Sequence, residues 1–199
     1  EVTKRLPTAV TLATKDYTTG LMLQEIFNTD YFRVYTHHDV LGVELGGALK
    51  NVMAVASGIS EGLGLGNSAR SALITRSLAE MSRLGVSMGA KENTFMGLSG
   101  IGDLVLTCSS PLSRNYTVGY RLGQGETLGE IMEGRKSVAE GVHTAKAAFE
   151  LSRMQNIDMP IVEQVYKVIY EDKPAKMAAS DLMSRTPKPE FHEPEENGD

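Results

Sequence analysis

A single cysteine, Cys108, occurs in 199 residues, which excludes an intramolecular disulfide and fits a reducing compartment. Its neighbours Val105 and Leu106 point to a buried structural thiol rather than a nucleophile. Nowhere do eighteen apolar residues follow one another, and no signal-peptide pattern is present, so membrane insertion is not expected and the cytoplasm is the default location. Positive charge is in deficit: 20 Lys and Arg against 25 Asp and Glu leave a net charge of -5, which argues against nucleic acid as a partner. A metal site is not expected either. The triplet His37-His38-Asp39 has no second ligand pair nearby in sequence, and consecutive residues diverge on a strand or helix, so a solvated loop or strand end is its expected setting.

Hydrophobic residues make up 41% of the chain, enough to fill the core of one large domain, with or without a remnant of a second. Residues 8–13 and 31–36 are β-prone, and between them residues 17–27 carry helical spacing through Leu21, Leu23, Ile26 and Phe27. Such a strand-helix-strand unit adds parallel strands to a sheet, and two short strands cannot bury themselves on both faces, so this unit should be the least stable part of the chain. From Leu41 the pattern changes to helices separated by glycine. Ile74, Leu78 and Met81 share one face, Gly85 is placed to end that helix, Thr127 to Glu130 reads as a capping box, and Pro160 opens a helix with Ile161, Val165, Val168 and Ile169 inside. Met53, Met81, Met96 and Met132 read as gap-fillers between closely packed helices. After residue 186 prolines and acids accumulate, and disorder is expected. The fold class is therefore mainly α, preceded by a short β-α-β unit.

Three polar clusters framed by glycine and apolar residues stand out. Lys50 lies in a small, apolar, helix-like segment, Asp103 follows Gly100-Ile101-Gly102, and Ser113-Arg114-Asn115 comes ten residues later. Lys50 alone admits two readings: a desolvated amine able to donate a proton to a carbonyl, or a lysine whose stem covers apolar surface while its ammonium reaches water. Together with a carboxylate to orient it and an Arg/Asn pair able to fork onto a phosphate, it forms a set suited to a small phosphorylated carbonyl compound. Taken alone, Ser113 reads as the serine cap of a helix. His143, near Glu140-Gly141, is read as a surface or packing residue.

Several stretches carry a resemblance to a known family. They are Glu44-Leu45-Gly46-Gly47-Ala48-Leu49-Lys50-Asn51, Gly58-Ile59-Ser60-Glu61-Gly62-Leu63-Gly64-Leu65-Gly66-Asn67, Ala72-Leu73-Ile74-Thr75-Arg76, Gly100-Ile101-Gly102-Asp103-Leu104-Val105-Leu106-Thr107-Cys108, Ser113-Arg114-Asn115 and Val138-Ala139-Glu140-Gly141. In that order, across residues 6–189, the chain resembles bacterial NAD(P)-dependent glycerol-3-phosphate dehydrogenase. The resemblance implies a multi-helical, 6-phosphogluconate-dehydrogenase-like C-terminal domain over 40–186, a remnant of the dinucleotide-binding domain over 1–39, and a disordered tail over 187–199. It also implies the reversible reduction of dihydroxyacetone phosphate to sn-glycerol 3-phosphate, feeding glycerophospholipid synthesis, with NAD or NADP as cofactor and a homodimer as a possible assembly.

Carried over by position, the proton donor and acceptor is Lys50 with Asp103 beside it. The substrate contacts are Lys50, Asp103, Ser113, Arg114 and Asn115, and the cofactor contacts are Arg114, Val138 and Glu140. Two features depart from the family. The Gly-x-Gly-x-x-Gly turn of a Rossmann half is missing, since Gly62-Leu63-Gly64-Leu65-Gly66 has the wrong spacing, and the chain begins at Glu1. It is therefore expected to be the substrate half of a longer protein, inactive alone. Thr117 stands where many relatives carry a basic residue, which leaves the choice between NAD and NADP open. Two other readings remain: a non-catalytic helical binding or dimerisation module, and another dehydrogenase of the same helical superfamily.

Overall fold

The computed structural model describes residues 1–133 and 139–190. Strands β1 (Thr8–Ala13) and β2 (Phe32–His37) pair in parallel, Thr8 opposite Phe32 and Ala13 opposite His37, joined by helix α1 (Tyr17–Phe27). Asp16 starts α1 by accepting a 2.6 Å hydrogen bond from the Thr19 amide. Polar ties hold the helix to β2: Gln24 Nε2 donates to Val34 O, and Val34 N donates to Asn28 Oδ1. Little apolar burial supports them, because Val34 and Gly20 are the buried residues of the unit while Leu21, Ile26 and Phe27 stay exposed. The expected strand-helix-strand unit with parallel strands is present.

The core is built around α2 (Val40–Gly62), buried almost continuously from Val52 to Ser60. By length and composition this helix could cross a membrane; in the fold it is the hub on which the other helices pack. These are α3 (Gly66–Ser87), α4 (Glu92–Phe95), a π turn (Leu98–Gly102), α5 (Asp103–Ser109), α6 (Arg114–Gly123), α7 (Leu128–Met132), α8 (Glu140–Met154), α9 (Pro160–Tyr170) and α10 (Ala175–Met183). The closest crossing joins α2 to α6 backbone against backbone. A Cβ on Gly58 would stand 2.1 Å from Tyr116 O, and one on Gly119 would stand 2.0 Å from Val55 O. Gly62 and Gly123 repeat the arrangement one turn on, so the two helices run parallel. Any side chain at these positions would force them apart.

Local signals behave as read, with two corrections. Thr127 and Glu130 form the capping box of α7, and Pro160 is the first residue of α9. Gly85, however, does not end α3, which runs on to Ser87 with Gly89 in the left-handed region at its exit. Gly85 instead makes the slot for the Phe95 ring, which a Cβ there would meet at 2.2 Å. Met96 is exposed rather than a core filler, while Met53 and Met81 are fully buried. Cys108 is buried as expected, and that burial pushes its thiol up to about 12. The expectations for residues beyond 190 lie outside the described residues.

One buried charge organises the far side of the core. Glu80 on α3 accepts from the Ile161 and Val162 amides at 2.8 and 3.3 Å. It thereby caps α9, whose own cap position, Met159, offers no side-chain acceptor. Burial raises its carboxyl to about 7 against the pull of those two amides and of Arg83, with Asp158 adding to the rise.

Candidate active site

The first four turns of α2, the starts of α5 and α6, and the start of α8 meet at one end of the helical core. Lys50 Nζ donates to Asp103 Oδ2 in a short ion pair, their side chains 22% and 32% exposed. Lys50 is thus neither buried bare nor free in water: its ammonium is held at the surface of the core by a carboxylate 53 residues away in sequence. Thr107, one turn along α5, fixes that carboxylate. Its hydroxyl lies 2.7 Å from Asp103 O and 3.3 Å from Asp103 Oδ1, the carboxylate oxygen not bonded to the lysine.

Ser113 caps α6, its hydroxyl accepting from the Tyr116 amide at 3.3 Å. Arg114 follows in the first turn, its guanidinium donating to Glu140 Oε1 at 2.5 Å, with both side chains more than half exposed. Glu140 sits at the start of α8, where the helix dipole favours a carboxylate. Asn115 differs from its neighbour. It is 5% exposed, and both ends of its amide are used: Nδ2 donates to Asn51 Oδ1 at 2.9 Å, and Oδ1 accepts from Gly141 N at 2.8 Å. A Cβ on Gly141 would lie 2.5 Å from Asn51 O, so the glycine lets α8 begin directly on this pair.

Four of the sequence-predicted residues therefore fall into two contacting pairs, Lys50 with Asp103 and Arg114 with Glu140. They are linked by a frame of Asn51, Asn115 and Gly141 that locks α2, α6 and α8 at the same level. Val138 lies outside the described residues. Asn51 and Thr107 belong to the same constellation and escaped the residue-by-residue reading. Asn51 stands next to Lys50, and Thr107 stands one helical turn from Asp103, the spacing at which a threonine reaches back. A cavity of about 940 Å³ opens elsewhere, between α2, α3, α9 and α10, and none of the sequence-predicted site residues line it. Among the described residues no cluster of three His, Cys, Asp or Glu could hold a metal ion. His37 instead accepts from the Asp39 amide, and His38 lies against Tyr17.

Comparison with known proteins matches this arrangement to one family. A model described as the C-terminus of NAD-dependent glycerol-3-phosphate dehydrogenase matches residues 39–180. The Geobacter metallireducens protein named glycerol-3-phosphate dehydrogenase (NAD(P)+) is 58% identical over 190 residues, covering 96% of this chain and 57% of its own length. The protein of the same name from Staphylococcus haemolyticus is 51% identical over the same share. Among solved structures, the glycerol-3-phosphate dehydrogenase of Coxiella burnetii superposes with a TM-score of 0.88 at 42% identity, over 92% of this chain and 57% of that one. The Saccharomyces cerevisiae enzyme gives 0.82 at 29% identity, over 92% of this chain and 56% of that one. The chain thus spans 57% of the length of the curated relatives it matches. With Lys50, Asp103, Arg114 and Glu140 all inside the matched segment, the chain belongs to the NAD-dependent glycerol-3-phosphate dehydrogenase C-terminus family.

Proposed function

We propose that this chain is the substrate-binding and proton-transfer half of an NAD(P)-dependent glycerol-3-phosphate dehydrogenase, which reduces dihydroxyacetone phosphate to sn-glycerol 3-phosphate and also runs in reverse. The observation that carries the reading is the Lys50–Asp103 pair: an ammonium at the edge of an apolar core, aimed by a carboxylate that is itself fixed by Thr107. As the carbonyl carbon is reduced, negative charge grows on its oxygen. Lys50, donating to that oxygen, stabilises the charge and then passes its proton across, leaving a hydroxyl on the product and a neutral amine on the enzyme. Asp103 orients the ammonium for the transfer.

Arg114 meets the phosphate. Its guanidinium is exposed and anchored through one nitrogen to Glu140, which leaves further donors for a planar fork onto an oxyanion. Ser113 and Asn115 complete the substrate end, Ser113 by starting α6 and Asn115 by holding Arg114's turn to Asn51 and Gly141. Orientation of so small a substrate is most of what binding must achieve.

The residues present fit one edge of a dinucleotide, because the Arg114–Glu140 pair offers an exposed cation beside a helix start. Arg114 and Glu140 would hold NAD or NADP there, and the bound dinucleotide supplies the hydride. The pyrophosphate site is assigned to the part of the longer relatives that this chain does not match. The test is Lys50→Ala in a full-length version. Turnover of dihydroxyacetone phosphate should fall on the order of 10²- to 10⁴-fold while dinucleotide affinity is unchanged, and undiminished turnover would remove Lys50 from the mechanism.

A further inference from the structure

Gly42, Gly46 and Lys50 recur every four residues along one stripe of α2, and a single stretch of chain, residues 91–103, is laid against all three. Its start is fixed by Asp39, the residue that caps α2. One carboxylate oxygen accepts from the Gly42 amide at 2.9 Å, and the other accepts from the Lys91 amide at 2.8 Å and the Thr94 hydroxyl at 2.6 Å. At its middle the stretch touches α2 backbone to backbone, since a Cβ on Gly46 would stand 2.5 Å from Ser99 O. It then passes through the π turn Leu98–Gly102 and delivers Asp103 to Lys50.

Asp39 is 8% exposed and contacts neither Lys50 nor Asp103. Burial pushes its carboxyl up, and the bonds from Thr94, Lys91 and Gly42, aided by His37, outweigh it and hold the group below the ordinary carboxylate range. It is therefore a charged anchor at neutral pH. A π turn is rare and occurs frequently at functional sites, and this one joins the segment that Asp39 holds to Asp103. The upstream side is Lys91 to Thr94, and Asp39 holds it.

Resting on the reading of Lys50 as proton donor, we propose that Asp39 is a positioning residue for the reaction: by clamping Lys91 and Thr94 to the first turn of α2, it sets where the Asp103 carboxylate meets the Lys50 ammonium. A carboxylate displaced by a fraction of an ångström orients the ammonium less well.

The experiment compares full-length wild-type protein with Asp39→Asn, which keeps the shape but presents an amide to the Lys91 amide. Thr94→Val, which deletes only the hydroxyl, and Gly47→Ala complete the set, Gly47 having nothing within 4 Å of an added Cβ. Dihydroxyacetone phosphate reduction is followed at saturating NAD(P)H, with the active fraction counted from the stoichiometry of dinucleotide binding. In Asp39→Asn, kcat per active site should fall on the order of 10-fold, with KM for NAD(P)H unchanged. Thr94→Val should show a smaller fall, and Gly47→Ala should match wild type. A purely structural role would lower the active fraction without changing kcat per active site. Unchanged kcat per active site in Asp39→Asn and Thr94→Val overturns the proposal, and Thr94→Val alone decides if Asp39→Asn does not fold. Wild-type protein inactive on dihydroxyacetone phosphate strikes the functional reading and this inference with it; active wild type with unchanged kcat in both variants strikes the inference alone.

Discussion

At the residue scale, polar groups in this chain act where the fold gives each a specific partner, and the partner is usually far away in sequence. Lys50 and Asp103 were legible because each interrupts a small, apolar, glycine-framed run. Asn115 stood out as a candidate, but its saturation by Asn51 and Gly141 was not legible, since nothing local announces a partner 64 residues distant. Glu80 left no trace, because a glutamate in a helix with polar neighbours reads as surface, and its partners are 81 and 82 residues away. Its position has a measurable consequence. With a carboxyl raised from an ordinary 4.5 to about 7, the folded state binds this proton more tightly than the unfolded chain does. The contribution of Glu80 to stability is therefore full below about pH 4.5 and is lost as pH rises through about 7, a change of about 3 kcal/mol. Glu80→Gln removes that titration. Urea denaturation at pH 5 and pH 8 should show wild type losing more stability than the variant over the interval, and equal losses would show that Glu80 does not titrate there.

At the element scale, glycine is the residue the sequence announces and does not explain. Its spacing marks helix breaks, and Gly85 reads as one, yet Gly85 is a slot for Phe95 while Gly58 and Gly119 let α2 and α6 touch. A stop and a close approach differ only in what lies opposite, which is tertiary information. The contact also bears on the candidate site, because the same parallel pair that meets at Gly58 and Gly119 carries Lys50 and Arg114 at its entrance. Gly119→Ala would place a methyl 2.0 Å from Val55 O, and the helices must separate, at about 3 kcal/mol or more. Gly47→Ala, facing open space in the same helix, should stabilise by up to about 1 kcal/mol through helix propensity. Chemical denaturation of the two variants checks this, and similar effects from both would mean that the α2–α6 contact is looser than described.

At the scale of the whole molecule, periodicity alone distinguished a β-α-β unit from a helical body, because strand and helix periods differ and each segment is long enough to show its own. Family membership was legible through motif resemblance more than through composition, which could only exclude classes. The fold places the Lys50–Asp103 ion pair and the exposed Arg114 cation together at one end of the helical body, while the parallel unit contributes two strands, an uncovered apolar helix face and no glycine-rich phosphate turn. Such a division of labour predicts that chemistry requires the remainder found in the relatives, of whose length this chain spans 57%. The most direct measurement is NAD(P)H oxidation in the presence of dihydroxyacetone phosphate, by the 199-residue chain and by a version extended at its N-terminus to the relatives' length. The account predicts substrate-dependent oxidation by the extended protein alone; no oxidation by the extended protein, or full activity in the shorter chain, would contradict it.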